Sequence, residues 1–205
     1  MARFKRNQVE EAIYAIKGGL RREVLNRIKR LLDTDRNLGR DRRSRDAART
    51  QFAFFSDERS GSGVEVWFHE YEAFALLLAV NLLGHGFPQQ TCVEILRRLR
   101  LPLEVEHGRI LRQPFRPFDP KDAKPGQLAV DTADPVYVVV TNATGSSDKG
   151  KSESAICNGD KGLMQHMKSV GVGMTFTIIE IAAAAHFFHK ALLETQPSQR
   201  GRPPS

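Results

Sequence analysis

Apolar residues at Val9, Ala12, Ile13 and Ile16 repeat with the i, i+3, i+4, i+7 spacing that lines one face of a helix. Gly18-Gly19 interrupts the pattern. It resumes at Leu20, Val24, Ile28 and Leu31, with Leu25 and Leu32 alongside, and predicts a second helix. Helix, tight glycine turn and helix is the layout of a helix-turn-helix. At about 100° per residue, Arg22, Asn26, Lys29 and Arg30 fall opposite the second stripe. These side chains suit guanine, adenine and phosphate groups.

From Gly39 to Thr50 the chain reads GRDRRSRDAART, too charged for a core and without a period. It predicts a mobile linker, with Arg42, Arg43 and Arg45 free to follow a phosphate backbone. The aromatic and β-branched runs Gln51–Phe55 and Val64–Phe68 flank a Ser/Gly-rich stretch and predict a β-hairpin with Arg59 near its tip. After a helix-turn-helix, such a hairpin reads as a wing. A nearly all-apolar helix is predicted from Glu70 to Leu83, broken by Gly84-His85-Gly86-Phe87-Pro88. Cys92, Ile95, Leu96 and Leu99 then form a helical stripe, with Arg97, Arg98 and Arg100 on the outer face. Residues 101–126 hold five prolines and read as a linker. Beyond it come a strand at 135–140, a helix at 161–169, a strand at 174–181 and a helix at 182–194. That order makes a small α/β unit.

The stretch Tyr71-Glu72-Ala73-Phe74, the apolar helix after it, then His85-Gly86-Phe87-Pro88-Gln89-Gln90 and Val93-Glu94-Ile95-Leu96-Arg97-Arg98 resembles the mercury-resistance-regulator (MerR) type of winged helix. The resemblance covers roughly residues 5–100. It implies a DNA-binding winged fold whose wing is followed by two helices joined by a glycine-containing turn. Where that family carries an arginine-aromatic-tyrosine-glutamate signature, this chain has the 39–50 insertion.

Charge sharpens the picture. The chain of 205 residues has a net charge of +7, yet residues 1–50 alone hold 15 Lys/Arg against 7 Asp/Glu. The positive excess thus belongs to one quarter of the chain, which suits a polyanionic partner. No apolar run reaches the roughly 20 residues of a membrane span, and Met1–Arg6 is followed by no signal-like apolar core. The expected compartment is the cytoplasm, with Cys92 and Cys157 as buried, reduced thiols.

Three patterns carry possible chemistry. Gly145 to Ser152 matches the phosphate-binding G-x-x-x-x-G-K-S loop, although four residues separate it from the preceding strand. His186 and His189, with His166, could approach a zinc ion, but no carboxylate or cysteine joins them at a motif spacing. Arg200-Gly201-Arg202-Pro203 resembles the core of an AT-hook. No nucleophile, base and orienting group stand together.

The sequence therefore predicts an α+β protein. Residues 1–100 form a winged helix-turn-helix, 101–126 a proline-rich linker, 127–195 a small α/β domain for dimerisation or sensing, and 196–205 a disordered tail. The expected function is a non-enzymatic, duplex-DNA-binding transcriptional regulator, homodimeric and without cofactor or metal. The alternatives are a nucleotide-binding enzyme using residues 145–152 and a protein-interaction module with a basic face.

Overall fold

A computed structural model describes residues 2–56, 66–116, 134–143, 152–171 and 173–196. The chain mixes helices with two small antiparallel sheets, as an α+β class requires. No helix among the described residues is long and apolar enough to cross a membrane.

The first strand, β1 (Arg3–Lys5), leads into α1 (Arg6–Lys17), which buries Val9, Ala12 and Ile13. Gly18 and Gly19 both take positive φ (62° and 83°), the region in which residues with a Cβ are strained, so glycine suits the turn. Next comes α2 (Arg21–Asn37), with Val24, Ile28, Leu31, Leu32 and Asp35 buried. Leu20 leaves the expected stripe: it precedes the helix as its N-cap and is 69% exposed.

The 39–50 segment is not the free linker expected. Asp46 caps a one-turn helix, α3 (Ala47–Thr50), by accepting from the Ala48 N–H at 2.9 Å. The Asp41 N–H donates to the Arg49 carbonyl at 2.7 Å and closes the loop.

The hairpin expected at 51–68 does not form either. Gln51–Phe55 makes no strand, and Phe52, Ala53, Phe54 and Phe55 are all buried. Four consecutive buried residues break the alternation of a half-buried strand. The N–H groups of Ala53 and Phe54 go instead to the Asp35 carboxylate, at 3.0–3.1 Å and 3.0 Å. The second leg supplies β2 (Trp67–His69), which pairs antiparallel with β1. The wing thus lacks one leg, and Arg59 lies outside the described residues.

The central helix is α4 (Glu70–Gly84), buried almost all round. It ends in a Schellman turn: Phe87 N–H donates to the Leu82 carbonyl and Gly86 N–H to the Leu83 carbonyl, with Gly86 at φ 86°. Then α5 (Gln89–Arg112) takes in residues 101–112 of the region expected to be a linker, with Pro102 inside it. A proline inside a helix costs about 3 kcal/mol through the lost hydrogen bond and ring clash. Leu103, His107 and Ile110, at i, i+4 and i+7, are buried and offset that cost. Residues 117–126 lie outside the described part.

The C-terminal unit has β3 (Val136–Ala143) between β4 (Glu153–Asn158) and β5 (Met174–Glu180), antiparallel to both. Helix α6 (Gly159–Val170) connects β4 to β5, and α7 (Ala182–Glu194) follows. The strand β4 was missed in the sequence because its mixed Glu153–Asn158 stretch adjoins a Gly/Ser/Lys run. Its pairing partner β3 is what makes it a strand. Val136, Val138 and Val140 join the same hydrophobic core as Phe4, Ile28, Phe74 and Phe188. Gln8 Nε2 donates to the Thr195 carbonyl at 2.9 Å, fastening the end of α7 to α1. The expected α/β unit therefore packs into one core with the N-terminal helices.

Candidate nucleic-acid interface

The outward face of α2 carries Arg22, Asn26, Lys29 and Arg30, and all four are exposed. None of these side chains makes a hydrogen bond or ion pair with a described residue. The same periodicity buries Val24, Ile28 and Leu31 on the other side. Exposed Arg27 adds a cation that sequence reasoning did not single out; its signal was its place on this helix outside the stripe. By contrast Arg21 is held by Glu11 at 2.7 Å, which raises its already high pKa. It belongs to the turn between α1 and α2.

Arg42, Arg43 and Arg45 are exposed on the loop that leaves the far end of α2. The loop is shaped by its own acids. Asp41 Oδ1 accepts from the Arg43 N–H at 3.0 Å, and the Ser44 N–H donates to the Asp41 carbonyl at 3.1 Å. Arg22 and the loop stand apart: fifteen residues at 1.5 Å rise make about 22 Å of helix axis, or roughly six base pairs of duplex. The two basic sets do not converge on one point. One lies along the first half of α2, and the other lies beyond its C-terminal end.

What holds the loop is a side chain read as outward-facing. Arg97 is 1% exposed. Its Nε donates to Asp35 Oδ1 at 2.6 Å, its Nη1 to the carbonyls of Gly39 (2.8 Å) and Ala48 (3.1 Å), and its Nη2 to the Asp35 carbonyl. Arg100 is buried as well. It donates to the carbonyls of Phe52 (2.8 Å) and Ala53 (3.1 Å) and lies 3.4 Å from Glu72 Oε1. Only Arg98 of the three stays near the surface, paired with Glu94 at 3.6 Å and donating to the Ser152 carbonyl at 3.2 Å. Helical periodicity placed these arginines opposite the stripe. It cannot show that the basic loop and the 51–56 segment cover that side.

The other sequence motifs come out as follows. Ser152 precedes β4, and its Oγ donates to Asn142 Oδ1 at 2.7 Å across the two neighbouring strands. A nucleotide-binding loop of the G-x-x-x-x-G-K-S kind opens a helix, whose N-terminal N–H groups meet the phosphates. Here a strand follows; residues 145–151 lie outside the described part. His186 and His189 are separately engaged. His189 Nδ1 pairs with Glu70 Oε1, and His186 stacks on Phe115 at 4.7 Å with the rings 4° apart. Burial is the main cause lowering the His186 pKa. Among the described residues no group of three or more His, Cys, Asp or Glu could hold a metal ion. Sequence reasoning missed His107, which is buried, stacks on Phe74 at 4.6 Å and lies edge-on to Tyr71. Burial, then the nearby His189 and His186, pull its pKa down to about 4. Cys92 and Cys157 are buried and free, and burial pushes the Cys92 thiol up to about 12, far from a reactive thiolate. The AT-hook-like residues 200–203 lie outside the described part.

No family model matches the chain, and no curated protein matches it.

Proposed function

We propose that the chain binds duplex DNA as a sequence-reading regulator, with α2 as the recognition helix. The observation that carries this reading is the unpartnered, exposed set Arg22, Asn26, Lys29 and Arg30 on one face of a 17-residue helix. Groups committed to fold stability are paired, as Arg97 and Arg100 are; these four side chains pair with none of the described residues. The glycine turn between α1 and α2, and the α4–α5 pair joined through Gly86, are the features shared with the MerR resemblance. The wing has no part in the proposal. In it, Arg42, Arg43 and Arg45 position the protein on phosphates, while Asn26 and Arg30 read base edges.

The first test is salt. Several phosphate contacts should weaken duplex binding on the order of a hundredfold or more between 50 and 200 mM salt. Affinity indifferent to salt, or absent at low salt, contradicts the proposal. The second test separates the two basic sets, after selection of a preferred site from a random duplex pool. Asn26→Ala or Arg30→Ala should cost about 1–3 kcal/mol on that site and much less on scrambled DNA. Combined Arg42/Arg43/Arg45→Ala should weaken both alike and flatten the salt slope. If the loop change erases sequence preference and the helix changes do not, α2 is not the reading element.

A further inference from the structure

The C-terminal sheet runs β4-β3-β5, which leaves β5 (Met174–Glu180) as an edge strand. Its inner edge pairs with β3, with Ile178 beside Val139 and Phe176 beside Thr141. Among the described residues no strand pairs with its outer edge, and β5 packs chiefly on β3. The opposite edge differs, because β4 lies against both α5 and α6.

An open strand edge is a template for another strand, and proteins guard such edges with lysine, proline or a bulge. The β5 sequence, MTFTIIE, has no lysine, arginine or proline, and its register with β3 is unbroken. Its one charged residue, Glu180, is engaged within the chain. Glu180 Oε1 accepts from the N–H groups of Ala182 at 2.6 Å and Ala183 at 3.3 Å, at the start of α7. Side chains alternate across a strand, so Met174, Phe176 and Ile178 share the face of Tyr137, Val139 and Thr141. Helix α6 lies on that face, where Tyr137 Oη donates to Asp160 Oδ1 at 2.7 Å. It packs chiefly on β4 and β3, and none of its own residues is fully buried. Ile178 is 38% exposed. One copy of the chain therefore leaves both the edge of β5 and its apolar face incompletely covered.

We propose that β5 pairs with the β5 of a second copy, antiparallel about a two-fold axis through Thr177, so that two three-stranded sheets become one continuous sheet. The strand is complementary to itself in that register. Thr177 faces its own counterpart, Phe176 faces Ile178, Thr175 faces Ile179 and Met174 faces Glu180. Each unlike pair occurs twice, as an isologous contact requires. Phe176 opposite Ile178 is an aromatic–β-branched pair, a kind that stabilises sheets. No like charges meet, because the two Glu180 residues stand six positions apart along the strands, about 20 Å. Both α6 helices fall on the same side of the joined sheet, with the two Phe176–Ile178 pairs between them. A strand from an unrelated protein would match this pattern only by chance, whereas a second copy carries it by symmetry. No β5 residue lies on α2 or on the basic loop, so this interface stands or falls apart from the DNA reading.

The full chain tests the interface and its register together. Sedimentation equilibrium should show a dimer at about 100 µM. Ile178→Lys, at an exposed position opposite Phe176 of the copy, should weaken the dimer by about tenfold or more with the circular dichroism unchanged. Thr177→Cys should form a disulfide-linked dimer under mild oxidation. Across the axis the two Cα atoms would lie about 4.5–5.5 Å apart, within the roughly 4.4–6.8 Å that a disulfide spans. Thr175→Cys should not, because the same pairing holds its two copies about 14 Å apart. The wild type, whose Cys92 and Cys157 are buried, is the blank. Three results would overturn the proposal. One is a monomer at that concentration, which leaves the edge to a strand of another protein. The others are a folded Ile178→Lys chain that dimerises as the wild type does, and Thr175→Cys crosslinking as fast as Thr177→Cys.

Discussion

Arg97→Ala should lower the stability of the protein by about 3–5 kcal/mol, the range for breaking a buried ion pair from one side. The reason lies in what it leaves behind. Asp35 is fully buried, and its carboxylate would lose the guanidinium at 2.6 Å with no water to replace it. The carbonyls of Gly39 and Ala48 would lose their donor as well. Arg97→Lys should recover only part of the loss. One ammonium cannot span Asp35 Oδ1, the Asp35 carbonyl and the two loop carbonyls as a planar fork does. Urea denaturation gives the numbers. A cycle with Asp35→Ala should show a coupling above about 1 kcal/mol, because the two side chains share one network. The loop supplies a local readout. With Arg97 gone, the bonds after Arg42, Arg43 and Arg45 should become faster sites for trypsin under native conditions. A loss below about 1 kcal/mol with unchanged cleavage means that Arg97 does not hold the loop.

Acid should destabilise the protein through His107. In the unfolded chain an imidazole titrates near 6.5, whereas burial beside Phe74 holds the folded group near 4. Above pH 6.5 both states are neutral at this position and its contribution is complete. As pH falls from 6.5 towards 4, the unfolded state takes up a proton that the folded state does not, so stability falls. The full loss is about 3 kcal/mol by linkage, and below pH 4 it grows no further. His186, also lowered by burial, acts in the same direction. Carboxylates titrate in part of this range, so the informative quantity is a difference. Chemical denaturation of wild type and His107→Phe at pH 7.5, 6.5, 5.5 and 4.5 gives it. Phenylalanine keeps a ring on Phe74 without a titrating group. The variant should gain relative to wild type by a few kcal/mol across that window; parallel pH curves would remove His107 as the cause.

These two residues also mark what the sequence could and could not tell. The stripes of α1 and α2, the apolar α4, and the strands and helices at 136–143, 174–180 and 182–194 were legible, because each is written in local periodicity. So were the exposed positions of Arg22, Asn26, Lys29 and Arg30, which follow from the face opposite Val24, Ile28 and Leu31. Where a segment's state depends on a distant partner, local pattern misled. Gln51–Phe55 has strand composition, but its N–H groups meet Asp35 rather than another strand. Residues 101–112 look like a proline-dotted linker, yet the core rewards Leu103, His107 and Ile110 with burial. The 39–50 run looks free because its anchor, Arg97, is far away in sequence. By itself the sequence determined α1, α2 and α4 and the apolar faces of α1 and α2, since these depend on neighbours three and four residues apart. Only the tertiary structure decided which polar residues are spent inside the fold and which are left to meet a partner. Pairing a charge takes two groups in space, and nothing in the local spacing of Arg97 distinguishes it from Arg30.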